Sequence, residues 1–245
     1  MHDATAVLLF LVLGIVAFLY SSVGHAGASG YIAVMTLFGI SAATIRPVAL
    51  ILNILVATIG SIQFWRAGHF SWRVFWPFAL LAVPAAFIGG YLHLPVTLLR
   101  LLIGIVLLFS AARLFMHAID PARPAAPPLA LALSLGGFIG FLSGITGTGG
   151  GIFLTPLLLL AGWAHAKQAA ALSALFILVN SIAGLVGYFI SHRAVPTIAL
   201  PLALAAMGGG AIGSYLGSRR FPAKTLLRLL AIVLVIAGVK LIFTR

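Results

Sequence analysis

The chain has 245 residues, of which 63% are hydrophobic and only 7% are charged. A soluble protein carries about 25% charged residues, so this composition excludes a soluble enzyme, a nucleic-acid-binding module and a secreted scaffold. The sequence contains no cysteine, which excludes disulfides, thiolate metal sites and thiol catalysis. Because a membrane crossing takes about 20 apolar residues, we predict an all-α, polytopic helical bundle in a membrane.

The balance of charges is strongly basic. Fourteen Lys and Arg residues stand against two acids, Asp3 and Asp120, and the formal net charge is +12. No carboxylate lies in an apolar segment, although an intramembrane site for a cation normally uses Asp or Glu. Most of the basic residues are explained as loop residues that orient the protein in the bilayer. The shortage of acids favours a neutral or anionic substrate.

Apolar segments follow one another along the chain in two sets of five. The first set covers residues 5–23, 28–44, 47–65, 73–92 and 96–116. The second set covers residues 129–145, 150–165, 168–190, 195–216 and 224–243. We therefore predict about 8–10 transmembrane segments, arranged as a first repeat at 1–118, a Pro-rich linker at 119–128 and a second repeat at 129–245.

The two sets have the marks of an internal duplication. The hexamer TLLRLL occurs at 97–102 and again at 225–230. Glycines also align between the sets: Gly24, Gly27 and Gly30 with Gly144, Gly147 and Gly150. A shared hexamer that contains Thr and Arg, in the same order as the glycines, predicts two homologous repeats.

The orientation of the repeats depends on the number of crossings. Five per half would invert the second repeat and place nine basic residues on one side and five on the other. If residues 28–44 and 150–165 instead enter the membrane and return, the division is seven to seven. The positive-inside rule favours the unequal division, and hence inverted repeats with both termini outside the cytoplasm.

A Gly-rich break occurs at the corresponding place in each half. The first comprises Gly24, His25, Gly27, Ser29, Gly30 and Tyr31, and the second comprises Thr146, Gly147, Thr148, Gly149, Gly150 and Gly151. Unwound backbone at membrane depth is tolerated only inside protein or beside a water-filled cavity, and paired breaks are the best sequence indication of a transporter's binding site. The alternative is that these glycines serve close helix packing.

A helix that restarts after each break presents free backbone N–H groups and a partial positive charge at its N-terminus. Two such N-termini that converge would bind an anion without a charged side chain. The hydroxyl groups of Ser29, Thr146 and Thr148 would add hydrogen-bond donors. We therefore predict a substrate site for a small anion between the two breaks.

Five further side chains are candidates for this site or its entrances. His25 titrates near neutral pH; it either couples protons or charges the site, or stays neutral and hydrogen-bonds a neighbouring segment. Asn53 and Asn180 lie in apolar runs, where each either contacts substrate or joins two helices. Arg46 and Lys167 correspond between the halves, and either attract an anion at each mouth or anchor a helix end, which we favour.

The duplicated breaks lead to a resemblance that covers essentially the whole chain. The run GITGTGGGIFLTPLL at 144–158, followed by KQAA at 167–170 and Ser173, resembles the TauE/SafE sulfite exporter family, also called the 4-toluene sulfonate uptake permeases. The first half departs from the glycine run, because GASGY at 27–31 replaces it and His25 precedes it. The resemblance implies a permease for sulfite or for small organosulfur or carboxylate anions, by uptake or export.

The combined expectation is a secondary anion transporter that works by alternating access in a bacterial inner membrane. Its partners would be a small anion, the lipid bilayer and protons coupled through His25, with no cofactor, no metal, no catalytic residue and no nucleic acid; homo-oligomerisation stays open. A passive anion channel is the first alternative. A non-transporting membrane subunit or an intramembrane enzyme is the second, although no H-E-x-x-H motif occurs.

Overall fold

The computed structural model of the chain describes residues 3–92, 104–105, 107–112, 124–191 and 199–243. All regular secondary structure in these ranges is helical, which confirms the all-α prediction. In chain order the helices with defined bounds are α1 (Asp3–Ser22), α2 (Ala28–Leu37), α3 (Ala42–Arg66), α4 (Trp72–Tyr91), α5 (Leu129–Thr146), α6 (Gly151–Leu160), α7 (Ala166–Ser191), α8 (Ala199–Tyr215) and α9 (Ala223–Phe243). The described residues at 104–105 and 107–112 are helical as well. A π-helical turn, Leu216–Arg220, continues α8.

Five helices in the described ranges are long and apolar enough to cross a membrane, namely α3, α4, α5, α7 and α8 with its π-helical turn. The fold is therefore a helical bundle of the polytopic membrane class. The first copy of the repeated hexamer, at 97–102, and residues 119–123 of the predicted linker lie outside the described residues.

The helices that follow the two breaks are short. α2 and α6 have ten residues each, so each is about 15 Å long, half of the roughly 30 Å hydrocarbon core. Each is therefore too short to cross the hydrocarbon core by itself. The flanking helices α1 and α3 nevertheless run parallel to each other, because both run parallel to α8: Gly14 and Phe18 of α1 lie against Gly209 and Gly213, and Val56 and Gln63 of α3 lie against Gly210 and Ser214. The chain between them therefore returns to the side of the bundle on which α1 begins, which agrees with counting residues 28–44 as a separate segment. The inverted repeats and the orientation in the membrane stay predictions.

A glycine terminates each of these short helices at the corresponding place. Gly39 follows α2 with a φ of 73°, and Gly162 follows α6 with a φ of 68°. After α2 the Ile40 N–H donates to the Met35 carbonyl (3.0 Å), and after α6 the Trp163 N–H donates to the Leu158 carbonyl (2.8 Å). This is the Schellman pattern, in which glycine adopts the left-handed conformation after the last turn. The same local sequence signal therefore ends both half-length helices.

The order of helix lengths repeats along the chain. Helices α1 to α4 have 20, 10, 25 and 20 residues, and helices α5 to α8 have 18, 10, 26 and 17 residues. The packing is reciprocal as well, because α4 packs most extensively against α5 and α1 against α8. This order is what a duplication predicts, while the boundaries of the two repeats stay a prediction.

Two seams of glycines bring these helix pairs into backbone contact. On α5, a Cβ atom at Gly136, Gly140 or Gly144 would collide with the carbonyl oxygens of Phe78, Ala82 and Ala86 on α4. From α8 into its π-helical turn, a Cβ atom at Gly209, Gly213 or Gly217 would collide with the carbonyl oxygens of Gly14, Phe18 and Ser22 on α1. The spacing of four residues places the three glycines of each seam on one helix face. Small residues at such positions let membrane helices approach closely.

Alanine should destabilise the bundle at Gly136 of α5 but not at the adjacent Gly137. We expect Gly136→Ala to lower the free energy of unfolding by about 2 kcal/mol, because the new Cβ atom overpacks against the Phe78 carbonyl. Gly137→Ala is the matched control: its Cβ atom would lie 3.4 Å from the Leu81 Cβ atom, an ordinary contact. Thermal unfolding in detergent measures both variants. Equal melting temperatures for the two would contradict the close approach of α4 and α5.

Candidate anion-binding site

The first break lies between α1 and α2 and is turned by two glycines in the left-handed region. Gly24 has a φ of 79° and Gly27 a φ of 102°. A Cβ atom at Gly27 would lie 2.7 Å from the Tyr31 ring carbon Cζ, so space and backbone conformation both require glycine here. α2 then begins at Ala28, and no side chain among the described residues caps its N-terminus.

The second break lies between α5 and α6 and carries three left-handed glycines. Gly147, Gly149 and Gly150 have φ values of 72°, 79° and 82°. α6 begins at Gly151, and the part of the chain that the structure describes provides no side-chain cap for this N-terminus either. The predicted breaks in helical structure are thus present in both halves, and each is followed by a helix with an uncapped N-terminus.

His25 joins the two breaks. Its Nε2 atom lies 3.0 Å from the carbonyl oxygen of Gly151, the first residue of α6, and 2.8 Å from the hydroxyl oxygen of Thr155. A carbonyl oxygen only accepts hydrogen bonds, so Nε2 carries the hydrogen. The Thr155 hydroxyl donates in turn to the Ser173 hydroxyl on α7 at 2.6 Å. A residue three positions before α2 is therefore bonded to the first turn of α6.

Asn53 and Ser181 adjoin the second break from α3 and α7. The Asn53 amide donates to the Ser181 hydroxyl at 3.3 Å. A Cβ atom at Gly149 would lie 2.9 Å from Asn53 Nδ2 and 3.0 Å from Ser181 Oγ. Asn53 is the twelfth of the 25 residues of α3, so this break lies at the middle of a membrane-crossing helix.

Buried polar atoms without a hydrogen-bond partner occur around both breaks. Among the described residues they include Ser21 Oγ, His25 Nδ1, Tyr31 OH, Asn53 Oδ1, Ser143 Oγ and both amide atoms of Asn180. A native structure pairs most of its buried polar groups, so each exception points to a bound water, an ion or a functional role. The side chains of Asn53, Ser143 and Asn180 have no exposed surface. The interior around the breaks therefore has polar atoms available to hydrogen-bond a polar ligand.

The predicted hydroxyl groups have different surroundings. Ser29 donates to the Tyr20 hydroxyl at 3.0 Å, which links α2 to α1. Thr146 donates to the Leu142 carbonyl at 2.7 Å, and its hydroxyl oxygen also lies 2.8 Å from that of Thr148. These hydroxyls are engaged within the bundle, so the backbone and His25 are the more direct candidates for contact with an anion.

Arg46 lies where two helices end. Its guanidinium NH2 donates to the carbonyls of Gly89 (3.0 Å) and Gly90 (3.1 Å) on α4, and also to the carbonyl of Gly144 on α5. The guanidinium carbon lies 5.7 Å from the centre of the Tyr188 ring. Carbonyl groups at helix C-termini carry a partial negative charge, so a cation there is stabilising. The geometry supports the anchoring interpretation of Arg46.

Lys167 makes an equivalent but looser contact at the other end of the bundle. Its Nζ atom donates to the Ser218 carbonyl in the π-helical turn at 3.4 Å. His69 Nε2 donates to the same carbonyl at 3.0 Å. Each corresponding cation thus lies beside the end of the fourth helix of its own half.

Two residues that contact the breaks are not among the site residues predicted from the sequence. Lys240, on α9, donates from Nζ to the Ser29 carbonyl in the first turn of α2 at 2.7 Å. A charged residue within the last apolar segment could have indicated a buried contact, but the positive-inside rule assigned Lys240 to a loop. Thr155 lies one helical turn after Gly151 and so on the same face, a spacing that would have placed it next to the second break.

The electrostatic balance of this region is positive. The acids of the sequence are Asp3 and Asp120, whereas Lys240 contacts the first break and Arg46 lies beside the second, its Cγ atom 3.1 Å from a Cβ position at Gly147. The described residues include no group of three His, Cys, Asp or Glu side chains that would hold a metal ion. The donors available to an anion are backbone N–H groups, the unpartnered hydroxyls of Ser21 and Ser143 and side-chain amides; the imidazole of His25 donates through Nδ1 only in its protonated form.

Comparisons with known proteins find a matching family and several relatives of the chain. The family model described as "Sulfite exporter TauE/SafE" matches residues 9–241. The chain is 41% identical over 246 residues, 98% of this chain and 100% of the relative, to the "Probable membrane transporter protein y4hK" of Sinorhizobium fredii. It is 34% identical over 105 residues, 43% of this chain and 38% of the relative, to the "Probable membrane transporter protein YunE" of Bacillus subtilis.

A third relative comes from an archaeon. The chain is 28% identical over 145 residues, 56% of this chain and 54% of the relative, to the "Probable membrane transporter protein MJ0441" of Methanocaldococcus jannaschii. No solved structure matches the chain.

The apolar helices and these relatives confirm the predicted integral membrane location, which fits a bacterial inner membrane. The chain belongs to the sulfite exporter TauE/SafE family of membrane transporters.

Proposed function

We propose that the chain is a secondary transporter for a small anion that binds between the two breaks at the middle of the bundle. The observation that carries this proposal is the bond between His25 and Gly151, which holds the uncapped N-termini of α2 and α6 near each other. Helix N-termini bind oxyanions through backbone N–H groups and a partial positive charge. No enzymatic role is needed to explain this site.

The substrate class we propose is sulfite, a small sulfonate or a small carboxylate. Each presents several oxygen acceptors to a site that offers donors, such as the first-turn N–H groups of α2 and α6 and the Asn53 amide. The name of the matching family supports a sulfur oxyanion. The half-length helices support alternating access, because each begins at a buried N-terminus beside the site, and moving it would open the site to one side at a time.

Flux into proteoliposomes tests this function. The purified chain is reconstituted, and uptake of sulfite, thiosulfate, toluene sulfonate and acetate is measured with and without an imposed pH gradient or membrane potential. We expect saturable uptake of at least one of these anions and accumulation above its equilibrium level when a gradient is imposed. Saturable uptake without accumulation would instead indicate a passive channel. An absence of flux for all four would contradict the proposal.

His25 should determine the pH dependence of this flux. We expect His25→Ala to lower the rate about tenfold and to remove the part of the pH dependence of wild-type flux that comes from protonation of this imidazole. The tenfold loss corresponds to one hydrogen bond, about 1.4 kcal/mol. Flux against pH, at saturating anion and fixed membrane potential, is the measurement.

The matched control is His25→Gln, which keeps an N–H donor for the Gly151 carbonyl but cannot titrate. If the flux of this variant did not change with pH but stayed near the wild-type rate, the pH dependence would be due to protonation of His25 and not to its hydrogen bond to α6. A wild-type profile in both variants would show that His25 stays neutral and is structural.

A further inference from the structure

A cavity of about 400 Å³ opens at the end of the bundle where α3 ends and α7 and α9 begin. We call it the vestibule, and it is lined by Gly68 and by the side chains of His69, Phe70, His165, Lys167, Gln168 and Ala223. Three of these six side chains are Lys or His. Such a volume holds a small anion with part of its hydration shell.

The walls of the vestibule present hydrogen-bond donors. The Ser218 carbonyl accepts hydrogen bonds from Nζ of Lys167 (3.4 Å) and from Nε2 of His69 (3.0 Å). These bonds hold both side chains at the wall of the vestibule. The contact of Lys167 is long, and an ammonium group has three donors, so it can bind a second acceptor. Lys167 and Gln168 lie in the first turn of α7, and Ala223 begins α9. The partial positive charges of two long helices therefore add to these side chains.

The vestibule lies at a membrane interface and close to the first break. Trp65 and Trp72, at the adjacent ends of α3 and α4, are 59% and 62% exposed, as in an interfacial aromatic belt. On α7, Ala170 follows Lys167 by one turn, and a Cβ atom at Gly24 of the first break would collide with its carbonyl. Ser173, bonded to Thr155, lies six residues or about 9 Å beyond Lys167.

A thin apolar barrier separates the vestibule from the first break. It consists of the buried Phe64, Ala170 and Ala171 together with Phe70. Phe70 both lines the vestibule and packs against this cluster. An anion in the vestibule would thus lie one packed layer away from the region of the breaks.

We propose that the vestibule is a second binding site for a small oxyanion, at which Lys167 and His69 hold the anion before or after its passage through the central site. This inference deepens the proposed function and rests on it for the role of the vestibule in transport. Binding at the vestibule itself rests on the cavity and its donors, so it can be tested separately. The phosphate group of an anionic lipid has the same chemistry, and the test distinguishes the two sources.

Binding is measured first on the purified full chain in a neutral detergent, by titration calorimetry with sulfite, sulfate and inorganic phosphate as probes. The background is Gly149→Ala, which obstructs the central site at Asn53 and Ser181. We expect this variant to bind at least one probe, Lys167→Gln in the same background to bind it about tenfold more weakly, and Lys167→Arg to restore the affinity.

The matched control is Lys224→Gln, which removes the same charge from an exposed side chain on the first turn of α9, outside the lining. We expect it to leave the affinity unchanged. Equal losses for Lys167→Gln and Lys224→Gln would reduce the effect to general surface charge and overturn the proposal. An absence of binding for all three probes would overturn it as well.

Flux in liposomes of pure phosphatidylcholine, with and without added phosphatidylglycerol, gives the second measurement. We expect Lys167→Gln, in an otherwise wild-type chain, to raise KM about tenfold in both lipids and to leave the maximal rate unchanged. A change in KM confined to liposomes with phosphatidylglycerol would assign the site to a lipid headgroup and overturn an entry role. Binding at the vestibule without any anion flux would contradict the proposed function but not the site.

Discussion

Replacing Gly149 by alanine is expected to lower anion flux at least about tenfold while the helical bundle still assembles. The new Cβ atom would lie 2.6 Å from Ile177 Cγ2, 2.9 Å from Asn53 Nδ2 and 3.0 Å from Ser181 Oγ. These contacts are shorter than van der Waals separation, so the second break must move away from α3 and α7. Displacement of about 1 Å at a binding site costs far more in function than in folding. Flux in proteoliposomes and thermal unfolding in detergent measure the two effects.

The control for this variant is Gly162→Ala. Gly162 has a φ of 68°, close to the 79° of Gly149, but a Cβ atom there meets nothing within 4 Å. Both variants therefore carry the cost of a left-handed alanine, about 1–2 kcal/mol, and differ in the contact with Asn53 and Ser181. We expect Gly162→Ala to keep nearly full flux. Equal flux for the two variants would show that the second break does not touch the transport pathway.

Replacing Arg46 by methionine is expected to reduce the free energy of unfolding by about 3 kcal/mol. The three carbonyls at the ends of α4 and α5 all face one NH2 group of the guanidinium, whose two hydrogens make two full hydrogen bonds at a time, and hydrogen bonds to a charged group contribute roughly 1.5–3 kcal/mol each. Methionine keeps the length of the side chain but offers no donor and no charge to these helix ends. We expect Arg46→Lys to recover part of the loss, because a single ammonium cannot reproduce the planar guanidinium.

Arg66→Met is the matched control, because Arg66 is exposed at the opposite end of the same helix. Its melting temperature should stay close to that of the wild-type chain. The measurement also separates the two interpretations of Arg46. If Arg46→Met melted like the wild-type chain but raised KM for the anion, Arg46 would contact the substrate at a mouth of the pathway, and the anchoring role would be wrong.

The sequence by itself determined the class of protein, the order of its helices and the positions of both breaks. These features follow from local rules: apolar runs of sufficient length form membrane helices, and glycines such as Gly27 and Gly150 adopt left-handed conformations that end one helix and start another. The ten-residue lengths of α2 and α6 differ from the predicted segments of 17 and 16 residues, at 28–44 and 150–165. Gly39 and Gly162 set those lengths, and both glycines were available to sequence reasoning.

The tertiary structure decided which polar groups meet. His25 reaches Gly151 and Thr155 across 126 and 130 residues of chain, and Asn53 reaches Ser181 across 128. Lys240 contacts the first break across 211 residues, whereas the loop-orientation rule treated it as an ordinary flanking cation. Such pairings depend on how the helices pack, and the glycine seams of α5 and α8 set that packing through backbone contacts. Periodicity and spacing describe one segment at a time, so they locate the parts of a binding site, while long-range packing assembles them.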